Sequence, residues 1–276
     1  MKPIDAPLVP EGVREARVVA WRGAARQDHV DWLAEEVPVA LVFNGISHAV
    51  MLASPADLED FALGFGLTEG LLCDAAELHG IDVAQVSGGI ELRLEVSSAC
   101  LWRLKERRRT LAGRTGCGLC GTDSLAQVRR ELPRAPEVRL APQALARAQH
   151  GMRERQAVQQ LTGATHAAAW CALDGSVRLV REDIGRHNAL DKLVGAMRRA
   201  GLDAAAGFAC ITSRASFEMV QKSALAGIGA LAALSAPTAW AVELAQGCGL
   251  ALAGFVRDEE FVAYSGAERL GLPEAS

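Results

Sequence analysis

The sequence predicts an α/β protein in two parts, a small α+β unit followed by a larger body. Three observations carry that prediction. From Thr165 onward, short apolar runs alternate with stretches of helical periodicity, the pattern of a mostly parallel sheet covered by helices. Before that, Asn44-Gly45 joins two apolar runs in a strong hairpin signal, and a helix and two more strands follow. Half of the chain (50%) is hydrophobic but only 5% is aromatic, so the core is built from Ala, Val and Leu, which suits helix-on-sheet packing.

Taken in order, residues 1–12 hold three prolines and read as a loose tail. Glu15 to Trp21 and Val37 to Phe43 read as strands, the second paired through Asn44-Gly45 with Ile46 to Leu52. Ser54-Pro55 reads as a helix start, with Ser at the N-cap, Pro at the first helical position and acids in the first turns. Ile81–Val86 and Ile90–Val96 are two more strands, and a helix runs from Ser98 to about Leu111. These elements make a small unit over 13–112, followed by a loop at 113–124 and the larger body at 125–272.

In that body Pro142 to Leu161 reads as one long helix with Gly151 a weak point. Strands are expected at Ala167–Leu173, Val177–Val180, Gly207–Ile211, Gly229–Leu234, Leu250–Val256 and Phe261–Tyr264. Helices are expected at Ala189–Ala200, Ser216–Gly227 and Thr238–Gln246.

A net charge of −4 argues against general nucleic-acid binding. Met1-Lys2-Pro3-Ile4-Asp5-Ala6-Pro7 lacks the apolar core of a signal peptide, so a cytoplasmic protein is expected. Ser223 to Val242 is uncharged over about a bilayer's thickness, but it carries Gly227, Gly229 and Pro237, and no membrane span is expected. Five of the seven cysteines are isolated in apolar or Ala-rich surroundings and read as small hydrophobes.

The other two, Cys117 and Cys120, sit in Arg114-Thr115-Gly116-Cys117-Gly118-Leu119-Cys120-Gly121, just after a basic run at Arg107-Arg108-Arg109. Nearby cations favour the reactive thiolate, and the glycines suggest an open loop. Half of a zinc site and an inert pair are the alternatives. A structural zinc needs a second close pair, and a deaminase-type zinc needs His-x-Glu; neither is present. Thiol chemistry is the favoured reading: disulfide exchange, or a persulfide on one cysteine released with help from the other.

Three other stretches fall at strand ends, where open α/β sheets bind ligands. Glu182-Asp183-Ile184-Gly185-Arg186-His187-Asn188 is dense polar chemistry before an apolar helix, although Asn188 as a plain helix cap is the bland alternative. Thr212-Ser213-Arg214-Ala215-Ser216-Phe217-Glu218 places hydroxyls and an arginine at a helix N-terminus, a site for a phosphate or other anion. There Ser216 as a plain N-cap is the bland alternative, and Lys222 pairs with Glu218 as ordinary helix support. Phe255-Val256-Arg257-Asp258-Glu259-Glu260 is a charged turn at the same edge.

Together, Gly-Cys-Gly-Leu-Cys-Gly at 116–121, Glu-Asp-Ile-Gly-Arg-His-Asn-Ala at 182–189 and Ser-Ala-Pro-Thr at 235–238 followed by Ala241-Val242-Glu243-Leu244-Ala245 resemble the FdhD/NarQ family, accessory sulfurtransferases for formate dehydrogenase. Ser54 to Phe61 with Leu67-Thr68-Glu69-Gly70 resembles that family's N-terminal helix. The resemblance implies a cytidine-deaminase-like three-layer α/β C-terminal domain with a smaller α+β N-terminal domain. It implies a persulfide carrier at Cys117, assisted by Cys120. Sulfur would come from a cysteine desulfurase and go to the molybdenum bis(molybdopterin guanine dinucleotide) cofactor, a bound substrate, before its insertion into the formate dehydrogenase catalytic subunit. It also implies a homodimer, no tightly bound metal of the protein's own, and cofactor contacts at Phe255 to Glu260. The phosphates and guanines of such a cofactor make Arg214, Ser216, Arg186 and His187 further contacts. A cofactor-binding chaperone whose cysteines bind a partner or metal is the alternative, and a zinc hydrolase related to the deaminases a third.

Overall fold

The computed structural model describes residues 9–112 and 132–272. Cys117 and Cys120 therefore lie outside the described residues, as does the 113–124 loop.

The chain opens with a two-stranded antiparallel ribbon, β1 (Val13–Arg22) and β2 (Ala25–Ala34). β2 carries Gln27, Asp28, His29 and Asp31, so it shows no run of β-favouring residues and was not expected. β3 (Val37–Phe43) and β4 (Ile46–Ala53) form the hairpin predicted at Asn44-Gly45, with positive φ at both turn residues (44° and 79°). α1 (Leu58–Thr68), β5 (Leu78–Val86), β6 (Gly89–Val96) and α2 (Ser98–Ala112) follow. The four strands make one sheet in the order β4-β3-β6-β5. Val39, Leu41, Leu92 and Leu94 point from it into a core shared with Phe61 and Phe65 of α1.

The second sheet has six strands, in the order β12-β11-β10-β9-β7-β8. These are β7 (His166–Ala172), β8 (Val177–Asp183), β9 (Gly207–Ile211), β10 (Ala230–Ala233), β11 (Ala251–Arg257) and β12 (Glu260–Ser265). It is more mixed than the alternating pattern predicts. Only β9-β10-β11 pair in parallel; β7 and β8 enter as a tight hairpin at Asp174-Gly175, and β12 closes antiparallel. α3 (Pro142–Glu154) packs on one face through Leu145, Ala148 and Met152. α5 (Arg186–Arg199), α6 (Phe217–Leu225) and α7 (Ala239–Cys248) cover the other through Leu190, Leu193, Met219, Val220 and Ala245. The body is thus helix, sheet, helix.

Several boundaries differ from expectation. α1 begins at Leu58 rather than at Ser54-Pro55, because the Ser54 hydroxyl is engaged elsewhere, accepting from the Ile184 N–H at 3.1 Å. The long helix expected from Pro142 breaks at Arg155 and Gln156, not at Gly151, and resumes as α4 (Ala157–Thr162). The uncharged Ser223–Val242 stretch resolves into the end of α6, β10 and the start of α7. No helix among the described residues is long and apolar enough to cross a membrane. Cys100, Cys171, Cys210 and Cys248 are buried as small hydrophobes, and burial pushes the Cys210 thiol up to about 12, whereas Cys73 is exposed.

Candidate functional site

β7 runs against both β8 and β9, so β8 points the same way as β9, β10 and β11. The C-terminal ends of these four strands therefore share one edge, together with the first residue of β7, His166. The loops that leave this edge are laced side by side. Leu234 N–H donates to Ile211 O, Thr238 N–H to Ala215 O, and Phe255 N–H to Ser235 O. The 212–218 and 255–260 stretches are thus joined through the 234–238 loop, and His187 beside Glu218 brings in the 182–188 stretch.

Most polar side chains of the 182–188 stretch are spent on scaffold. The Glu182 carboxylate accepts from Val158 N (2.9 Å), Gln159 N (2.8 Å) and Thr165 Oγ1 (2.9 Å), which caps α4. Asp183 is fully buried and forms an ion pair with the equally buried Lys192 at 2.7 Å. It also accepts from the Ser54 N–H (3.0 Å) and the Gly185 N–H (2.8 Å). Asn188 is not a helix cap: the N-cap is Gly185, and the Asn188 amide donates to Leu52 O (2.8 Å) and to Asp183 (3.0 Å). Asp183 and Asn188 therefore bolt the start of α5 to the end of β4.

Arg186 and His187 remain. His187 Nε2 lies 2.9 Å from Glu218 Oε2, an ion-pair distance. His187 holds the Glu218 carboxyl below its ordinary value, against the upward push of burial. Lys222 does not pair with Glu218. It turns inward, where Asp191 Oδ1 (2.9 Å) and Glu69 Oε1 (2.8 Å) receive it. Burial alone would lower the Lys222 pKa, but these two carboxylates outweigh it and raise it. Glu218 is left for His187.

Among the described residues, four buried side-chain polar atoms have no hydrogen-bond partner: Arg186 Nε, His187 Nε2, Ser216 Oγ and Gln149 Oε1. Buried polar atoms are normally satisfied. Three of these four belong to residues the sequence proposed as ligand contacts. Ser216 occupies the N-cap position of α6, yet its side chain makes no capping bond. Arg214, two residues earlier, is exposed.

The fourth atom points to a part of the site that the sequence did not reveal. A cleft of about 530 Å³ beside this edge is lined by Gln149, Gln156, Gln159, Thr165, His166 and Thr212, among others. Its hydrogen-bonding side chains are amides, hydroxyls, an imidazole and the guanidinium of Arg153. His166 Nδ1 lies 3.3 Å from Thr212 Oγ1, and Thr212 Oγ1 also accepts from the Ala167 N–H. Burial, then the charges of Arg186 and His187, lower the His166 pKa, so its ring is neutral near pH 7. The usable signal in the sequence was His166 itself, a polar residue opening an Ala-rich strand.

The 255–260 turn stands at the same edge but does not line the cleft. Phe255 is half exposed in a left-handed conformation (φ 53°), as is Asp258 (φ 52°), and Asp258 meets His150 at 3.0 Å. Val256 is a correction: its side chain is 1% exposed and belongs to the core, so it cannot contact a ligand. Arg257, Asp258, Glu259 and Glu260 are exposed.

Fold and site together define an α/β protein with unpartnered buried polar atoms, among the described residues, at one strand-end edge. The model of the FdhD/NarQ family matches residues 34–271, and the chain belongs to that family. It is 55% identical to the sulfur carrier protein FdhD of Variovorax paradoxus (strain S110), over 98% of each chain. It is 57% identical to the protein of the same name from Bordetella petrii, over 91% of this chain and 90% of that one. A solved structure described as a formate dehydrogenase accessory protein, from Desulfotalea psychrophila, superposes with a TM-score of 0.74 at 21% identity, covering 93% of this chain and 98% of that one.

Proposed function

We propose that this protein is a cytoplasmic sulfur carrier for formate dehydrogenase. Cys117 takes sulfur from a cysteine desulfurase: its thiolate attacks the outer sulfur of the donor's persulfide, the donor thiolate leaves, and Cys117 carries the persulfide. Cys120 then helps to release that sulfur to the molybdenum bis(molybdopterin guanine dinucleotide) cofactor, the substrate that the formate dehydrogenase catalytic subunit later receives. The protein acts as a homodimer, with a body of the cytidine-deaminase type.

One observation supports this reading most. Among the described residues, Arg186 and Ser216 keep buried donor atoms unpartnered at a single strand-end edge, beside the His187–Glu218 pair. Such atoms suit the phosphate oxygens of a dinucleotide, and Gln149, His166 and Thr212 offer hydrogen bonds to a heterocycle. The names of the relatives support the sulfur-carrying part. The test is intact-mass measurement after incubation with a desulfurase and cysteine. A gain of one sulfur atom, absent in Cys117→Ala, is expected; no gain on either cysteine sinks the reading.

The edge would bind a cofactor without either cysteine, so a chaperone for the cofactor is the second reading. A Cys117→Ala/Cys120→Ala variant that still restores formate dehydrogenase activity would establish it.

A further inference from the structure

α3 presents Leu145, Ala148 and Met152 to the sheet, and Gln149 stands on the same buried stripe. Gln149 is 6% exposed, and its Oε1 meets no donor among the described residues. An unsatisfied buried oxygen costs stability, and an apolar residue of the same shape would continue the stripe. Neighbouring acceptors in the cleft are occupied from within the protein. Gln159 Oε1 accepts the Thr165 N–H at 2.8 Å, Thr212 Oγ1 accepts the Ala167 N–H at 3.0 Å, and the Thr165 hydroxyl donates to Glu182. Gln149 Oε1 is the acceptor held open, and a ligand in the cleft must bring a donor to it.

The rest of the lining selects the kind of donor. Among the described residues no carboxylate lines the cleft but Arg153 does, and the charges of Arg186 and His187 are near enough to act on His166. An ammonium group would enter beside cations with nothing to neutralise it, so the donor is a neutral N–H. Arg153 in turn suits an oxo acceptor, and Ile184 and Leu234 line the same space with apolar surface for a flat ring. Neutral N–H groups beside a ring oxo group are the edge of a 2-aminopyrimidinone. The cofactor of the proposed function carries that ring in two places, its guanines and its pterins. We propose that Gln149 is a specificity-determining residue whose Oε1 accepts a hydrogen bond from the 2-amino group of such a ring held in this cleft. This rests on the strand-end edge being where the cofactor binds, and goes beyond it by naming the group that is read.

The test is calorimetric titration of the full chain with two pairs of probes. GDP is set against IDP, which lacks the 2-amino group, and pterin against lumazine, which has an oxo group in its place. The parent is expected to bind GDP or pterin at least ~10-fold more tightly than its counterpart, and the pair that shows the preference identifies the ring. In Gln149→Met, which fills the same space without an oxygen, the preference should fall to within ~2-fold. The urea midpoint of this variant should be no lower than the parent's, because the lost oxygen bonds nothing among the described residues. Equal affinities within both pairs in the parent, a preference that survives in Gln149→Met, or a variant midpoint well below the parent's would overturn the assignment. Intact-mass measurement separates this from the proposed function. A parent that loads sulfur on Cys117 but shows no preference overturns the role of Gln149 and leaves the sulfur carrier standing. A parent that loads no sulfur yet keeps a Gln149-dependent preference overturns the sulfur carrier and leaves the role of Gln149 standing.

Discussion

Gly64 of α1 and Gly195 of α5 face each other where the two helices cross. A Cβ on Gly64 would fall 1.7 Å from Asp191 O, and one on Gly195 would fall 1.9 Å from Asp60 O. The backbones are therefore in contact, and no side chain separates the small unit's helix from the larger body's. Asp60, 4% exposed, is held beside the crossing by Arg181 (2.7 Å) and Arg199 (2.9 Å). Gly64→Ala must push the helices apart. It is expected to cost about 3 kcal/mol, the upper end of ordinary overpacking, read as a lower urea midpoint. An unchanged midpoint would mean that the helices separate freely.

The Lys222 network fixes the same junction through charge. Lys222 Nζ reaches Asp191, Glu69 and Thr68 Oγ1 (3.0 Å), joining α6, α5 and α1 at one buried point. Removing only the cation strands the Asp191 carboxylate in the core. Lys222→Met is expected to cost about 3–5 kcal/mol, whereas Lys222→Met/Asp191→Leu should cost clearly less than the sum of the singles. Strict additivity in chemical denaturation would show that the pair does not interact.

Neighbouring polar residues at the strand-end edge should divide cleanly into scaffold and site. Glu182→Gln weakens the cap on α4 and is expected to cost about 1–2 kcal/mol. Ser216→Ala removes an oxygen that bonds nothing among the described residues, so stability should stay within about 0.5 kcal/mol while delivery of sulfur to formate dehydrogenase falls. Equal stability losses in the two variants would place Ser216 in the scaffold.

How far these roles could be read in advance depends on whether the signal is local. The Asn44-Gly45 hairpin and the helix behind Arg186 were legible, because turn chemistry and apolar periodicity are properties of adjacent residues. The strand-end motifs were legible as clusters of polar residues before apolar helices. Their division was not: Glu182 and Asp183 look as reactive as Arg186, and only contacts with Val158 and with Ser54, 129 residues away, show them to be structural. Lys222 failed for the same reason, since Glu218 is its neighbour in sequence but Asp191 in space. Gln149 was invisible, because its significance is an oxygen left bare in a cleft built from α3 and the sheet. Val256 shows the opposite error, a turn residue by position whose alternation directs it into the core.

His166 makes the cleft pH-sensitive. Its pKa is lowered from an ordinary 6.5 by burial and by the charges of Arg186 and His187. The unfolded chain therefore takes up a proton on this residue before the folded protein does. A lowered pKa contributes stability that is fully present above 6.5 and is lost as pH falls through the folded value. Glu218, lowered from 4.5, acts with the same sign in a more acidic window. The urea midpoint should therefore fall between about pH 7.5 and about pH 5.5, and the fall should be smaller in His166→Gln, which keeps a polar group against Thr212 but cannot ionise. Below the ordinary Glu218 value the two proteins should lose stability in parallel, because that carboxylate is still present in both. Identical profiles for the parent and His166→Gln across the upper window would show that this imidazole is solvated, and that the cleft is wetter than its lining implies.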